Sequence, residues 1–204
     1  MAPSTSLQPV VAVVLLGALL GSPVGALHTT RAATPPDEGC WVRGARADLR
    51  SRASPLDSAV ARLGGAEVKV CYSRPSARGR AIMGALVPFG EPWRLGANEA
   101  TTIHLPVAVR FGDRDLKPGV YSLYAIPGPS TWQIVVNESA QRWGIPIDAA
   151  VRAHDVGAFT VPSERTDAPI ETLTIRLEPA GADALALVIE WERTRVHVTV
   201  KPAK

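Results

Sequence analysis

Between two short apolar strands the chain reads Tyr72-Ser73-Arg74-Pro75-Ser76-Ala77-Arg78-Gly79-Arg80 and then Trp93-Arg94-Leu95-Gly96-Ala97-Asn98-Glu99. An ordinary connection would carry Ser, Gly and Asp there, so guanidinium groups, an indole, a carboxamide and a carboxylate call for a chemical reason. One reading is binding: Arg74, Arg80 and Arg94 present planar forks suited to carboxylate or phosphate, with Asn98 and Glu99 as further polar contacts. Trp93, Tyr124 or Trp143 then supplies an apolar wall for a sugar ring or acyl chain. The competing reading is structural. Trp93 plugs one end of the fold while Asn98 and Glu99 satisfy backbone donors and pair with Arg74 or Arg94 across the loop, because a Gly- and Pro-punctuated loop leaves many backbone groups without strand partners.

Other chemistry has less in its favour. The histidines, His28, His104, His154 and His197, show no His-x-His or His-x₃-His spacing, so no metal site is expected and no cofactor is called for. There is no Gly-x-Ser-x-Gly elbow, and Ser73 and Ser76 flank a turn where hydroxyls usually serve local backbone. Glu91, Glu99, Asp155 and Glu190 are available as acid and base, which keeps a hydrolase using Glu99 as an alternative. His154-Asp155 is a poor dyad, since neighbours on an extended chain point opposite ways.

Charge and the chain ends bound the class of protein. The net charge of +3 rests on scattered residues, mostly Arg, without the aromatic interleaving that tracks single-stranded nucleic acid, so no nucleic-acid partner is expected. The first 26 residues contain no Asp, Glu, Lys or Arg, and the small-apolar run from Val10 to Leu20 leads to Val24-Gly25-Ala26. That pattern predicts a secretory signal peptide over residues 1–26 and an exported protein, periplasmic or extracellular; the run is too short to span a membrane. Two cysteines remain in the exported chain, and an even count in an oxidising compartment invites a disulfide. Val68, Val70 and Tyr72 share one strand face, so Cys71 points off the core, where an N-terminal extension tied through Cys40 can lie across the sheet.

The elements that must position these groups are strands. Residues 27–54 have little periodicity and read as an extension or linker, leaving residues 55–204 for one domain. Thr101 to Leu105, Val107 to Phe111, Val120 to Ile126 and Trp132 to Asn137 are apolar or alternating and are separated by Gly-Asp and Pro-Gly turns. Leu173, Ile175 and Leu177 face one way over Glu171 to Glu178; Leu185, Leu187, Ile189 and Trp191 share a face; a tight Glu192-Arg193 turn then leads to Val196, Val198 and Val200. A short helix fits only around Asp148 to Ala153. The expectation is all-β: an antiparallel β-sandwich of about eight to ten strands, with a jelly roll as one arrangement.

The motifs also carry a resemblance. Tyr72-Ser73-Arg74-Pro75, Gly79-Arg80, Gly84-Ala85-Leu86-Val87-Pro88-Phe89-Gly90 and Trp93-Arg94-Leu95-Gly96-Ala97-Asn98-Glu99 fall in the order of the bacterial domain-of-unknown-function family 2911, which the chain resembles over about residues 50–200. That resemblance implies an exported all-β protein and leaves the activity open. The sequence expectation is therefore a binding or envelope-associated module for a small anionic or carbohydrate-like ligand, with a purely structural envelope protein as a further alternative.

Overall fold

Alternation of apolar and polar residues folds the described residues into nine strands: β1 Leu56–Leu63, β2 Ala66–Ser73, β3 Thr101–Leu105, β4 Val109–Phe111, β5 Arg114–Leu116, β6 Gly119–Pro127, β7 Thr131–Asn137, β8 Asp155–Pro179 and β9 Leu185–Pro202. The computed structural model describes Met1 and residues 39–203, so the expected leader over residues 2–26 lies outside the described residues. All pairings between these strands are antiparallel, in the order β1-β2-β3-β6-β7-β8-β9-β4-β5, and among the described residues the sheet does not close into a barrel. This is a meander with one excursion, the β4–β5 hairpin, rather than the paired Greek keys of a jelly roll.

Two layers arise because β8 serves both. Its first part, Asp155 to Pro162, pairs with β7, and its second, Ser163 to Pro179, pairs with β9. The layers meet through a single core in which Val70, Tyr72, Ile103, Leu123 and Ile134 of the first half pack with Leu173, Ile175, Leu187, Ile189 and Trp191 of the second. Tyr72 fastens them further: its hydroxyl accepts from the Ile175 N–H at 3.0 Å and donates to the Ile175 carbonyl at 3.2 Å.

Two sequence expectations need correction. Glu192-Arg193 is no hairpin turn, because β9 runs on through it to Pro202. Glu192 takes a left-handed φ of 54°, and the facing β8 shifts register near Ile170, so the pair bends without reversing. Its carboxylate accepts from the N–H groups of Ile82 and Met83, which gives the bend a second use. The strand expected from Glu171 in fact begins at Asp155, since β7 continues to pair with it where the sequence shows no clean alternation. The short helix, α1 Ala149–Arg152, is present and is capped by the Asp148 carboxylate accepting from the Val151 N–H at 3.0 Å.

The described part of the extension lies on the outer face of β2. Cys40 and Cys71 form a disulfide with Cα atoms 5.8 Å apart, and both are buried although Cys71 points away from Val70 and Tyr72. A 3-10 helix, Arg46–Ser51, follows, with Leu49 buried beneath it. His104 on the neighbouring strand sits 3.6 Å from the Cys71 sulfur, and burial, then the charge of Lys69, push its imidazole below the ordinary histidine range. Among the described residues no helix is long and apolar enough to cross a membrane.

Candidate functional site

The motif-rich segment is the connection from β2 to β3, and it holds its shape by borrowing partners from both layers. The Ala77 N–H donates to the Glu171 carbonyl and the Leu173 N–H to the Pro75 carbonyl, attaching its first part to β8. Trp93 then pairs with Ala125 of β6 through two backbone hydrogen bonds of 2.7 and 2.8 Å. That fixes the indole, which stacks on Trp191 with centroids 5.8 Å apart and meets Trp132 edge-on at 5.6 Å. Leu95 and Asn98 both take left-handed backbone, φ 52° and 58°; asparagine tolerates it, whereas a bulky leucine adopts it only when its surroundings impose it.

Above the paired tryptophans the loop leaves a cleft of about 350 Å³. Trp93 and Trp191 line it with Pro75, Leu86, Val87 and Ile145, and Arg80 and Arg94 bring the charge. Arg94 is half-buried, and burial pulls its guanidinium below the usual arginine range. Its Nε donates to the Gly96 carbonyl at 3.2 Å, while its two terminal nitrogens make no hydrogen bond or ion pair among the described residues. Gly144 allows this position, since a Cβ there would stand 2.5 Å from Arg94 Cδ and 2.9 Å from the Asn98 carbonyl. Arg80 donates through Nε and one terminal nitrogen to the carbonyls of Ala77 and Ser76, at 2.9 and 2.8 Å.

Of the eight residues read from the sequence as ligand contacts, Arg80, Trp93 and Arg94 line this cleft. Arg74 lies elsewhere, donating to Asp57 Oδ2 at 3.0 Å, the Leu173 carbonyl at 3.2 Å and Thr174 Oγ1 at 3.2 Å. Asn98 donates to the Ser54 carbonyl and Ser73 Oγ. Glu99 is only 4% exposed and pairs with neither Arg74 nor Arg94; it accepts from the Arg43 N–H at 2.9 Å and from Arg52 at 2.7 and 3.0 Å. Trp143 forms a bridge with Glu99, and its ring lies 5.8 Å from the Arg43 guanidinium. Tyr124 is buried and donates to Asp155 Oδ2 at 2.6 Å; burial, then that carboxylate, hold its phenol far above the ordinary range. Asn137 donates to the other Asp155 oxygen at 2.8 Å and to the Val151 carbonyl at 2.7 Å, so this cluster anchors the α1 excursion.

The sequence reading missed several partners. Arg43 and Arg52 carry no signal in a segment without periodicity. Leu86 sat inside a quoted motif as an apolar filler, and Ile145 in a loop with no assigned role. Trp191 shares its strand face with Leu187 and Ile189 and is 2% exposed, yet it still borders the cleft. A separate polar cluster spans β8 and β9, where Arg176 of β8 and Arg195 of β9 both bond the buried Glu190 carboxylate. Burial pushes that carboxyl up, but the two guanidinium groups outweigh it and hold it below the ordinary range.

The family described as a protein of unknown function, DUF2911, matches residues 54–200. The chain belongs to the DUF2911 family. No curated protein and no solved structure matches it. Every residue lining the cleft, from Ser54 to Trp191, falls within the DUF2911 domain, whereas Cys40, Arg43 and Arg52 lie before it. Among the described residues no group of three or more His, Cys, Asp or Glu is placed to hold a metal ion.

Proposed function

We propose that this DUF2911 domain is an exported binding module that takes a small anionic ligand in the cleft between Arg80, Arg94 and Trp93. The observation carrying it is Arg94: a half-buried guanidinium lining the cleft, with no carboxylate partner among the described residues and no hydrogen bond there from its two terminal nitrogens. A cation taken partly out of water without a counter-charge is costly, and a bound carboxylate or phosphate removes that cost by pairing with it. Arg80 adds a second positive charge beside it. The volume of about 350 Å³ is at the small end for such pockets, about 300–1,000 Å³. Export is supported by the charge-free apolar leader and by a disulfide of the kind that persists in oxidising compartments.

Glu99 is poorly placed for hydrolysis. A general acid or base must come within hydrogen-bond reach of its substrate, and this carboxylate is covered and occupied by Arg52 and the Arg43 N–H. A scaffold role suits it, as it suits Arg74, Asn98 and Tyr124. The test is a tryptophan-fluorescence titration with small carboxylates and phosphate monoesters, on the unaltered protein and on Arg94→Gln. A hydrogen bond to a charged group contributes about 1.5–3 kcal/mol, so saturable binding should weaken about 10- to 100-fold in the variant. Equal affinity in the two proteins, or no saturable binding by any anion, contradicts the proposal.

A further inference from the structure

The composition of the cleft narrows its ligand further. Among the described residues its only charged side chains are the two arginines, and they bring it no carboxylate, carboxamide or imidazole; Ser54 offers one hydroxyl. The Gly96 carbonyl is already taken by Arg94 Nε, and the Ser54 carbonyl by Asn98. A sugar is a poor match for such a set, because each hydroxyl brings a donor as well as acceptors and the donors would find few partners. Stranding them costs more than the acceptor side gains.

The remaining surface is apolar, and it continues out of the cleft. Leu86 and Ile145 line it while 47% and 52% exposed. Phe89, 43% exposed, lies against Gly84 of the same loop. Within residues 39–203 only four other large hydrophobics, Val60, Val107, Val120 and Val156, are comparably exposed, and none of them lines this cleft. Bulky apolar side chains gathered beside a cationic cleft mark a surface that binds something apolar.

We infer that the ligand is an amphiphilic monoanion, a carboxylate with an aryl or acyl body, whose head pairs with Arg94 and Arg80 and whose body lies along Leu86, Ile145 and Trp93. This rests on the reading of the cleft as an anion site. It departs from the carbohydrate-like ligand that remained open from the sequence, and it assigns the exposed apolar side chains a use.

Isothermal titration with four probes tests it: 4-phenylbutyrate, its neutral counterpart 4-phenylbutanol, butyrate and glucuronate. The expected order places 4-phenylbutyrate at least about tenfold tighter than each of the other three, since both head and body are needed. Leu86→Ser changes an exposed side chain, so folding should persist, and it should weaken 4-phenylbutyrate several-fold, more than it weakens butyrate. Arg94→Lys keeps the charge and loses the fork, and it should weaken both carboxylates. Glucuronate binding as tightly as 4-phenylbutyrate, or Leu86→Ser leaving 4-phenylbutyrate unchanged, overturns the apolar body and leaves the anion site standing. If neither carboxylate nor glucuronate binds, or if Arg94→Lys changes nothing, the anion site itself fails and this inference with it.

Discussion

Arg52→Ala should be among the most destabilising single changes in the described chain. Glu99 is 4% exposed, and its carboxylate has two partners, the Arg43 N–H and the Arg52 guanidinium. Removing Arg52 leaves a buried charge with one neutral donor. Breaking a buried pair from one side typically costs about 3–5 kcal/mol, and because Arg52 itself is 17% exposed the low end applies, about 3 kcal/mol. In a domain of this size each kcal/mol moves the midpoint by about 2–4 °C, so thermal unfolding by circular dichroism at neutral pH should show a fall of about 6–12 °C. Glu99→Gln should cost less, because the freed guanidinium can turn to water. In the double variant the two losses should not add: with no buried carboxylate left to strand, the coupling should be at least about 1 kcal/mol. A midpoint for Arg52→Ala within about a degree of the unaltered protein, or strict additivity in the cycle, refutes the claim that this pair holds the loop.

Three further outcomes follow from the geometry. Replacing both Cys40 and Cys71 by Ser opens a link spanning 31 residues and should cost about 3–4 kcal/mol on the chain-entropy account; mass spectrometry of unreduced protein should show no free thiol, and two free thiols would remove the basis for this. Glu190 has a folded-state carboxyl held below its unfolded value, so its stabilising contribution is complete above about pH 4.5 and is lost as the pH falls through the lowered value. Glu190→Gln should therefore flatten the acid limb of the midpoint-against-pH curve, and an unchanged limb contradicts the arrangement with Arg176 and Arg195. Gly144→Ala should push Arg94 out of place and lower both the melting midpoint and the affinity for 4-phenylbutyrate, which parallel melting and titration experiments would read.

Strand identity was readable wherever one face is buried and the other wet. Leu173, Ile175 and Leu177 alternate cleanly, and they lie in the core as their period demands. The first part of β8, Asp155 to Pro162, was not readable, because it runs through Gly157 and Pro162 without a clean alternation and owes its strand form to β7 rather than to its own pattern. Glu192-Arg193 looked like a turn for the converse reason: the apolar alternation changes phase there, and a positive φ at Glu192 achieves that without reversing the chain. The candidate site was legible as a neighbourhood. Its unusual residue types stand out, but nothing in their spacing sorts Arg94, which lines a cleft, from Arg74, bound by Asp57, Leu173 and Thr174. That sorting depends on β8 and β1, which are remote in sequence from one another. Glu99's partners were hidden for the same reason, lying in a segment whose only legible feature was Cys40.

The most direct measurement is a proton–nitrogen correlation spectrum of the arginine Nε groups, assigned by single Arg→Lys variants and followed as 4-phenylbutyrate is added. Saturable shifts are expected at Arg94 and Arg80, which line the cleft, and none at Arg74 or Arg52, which do not. Shifts at Arg74 with Arg94 unmoved, or a spectrum that does not change at millimolar ligand, would contradict the anion site.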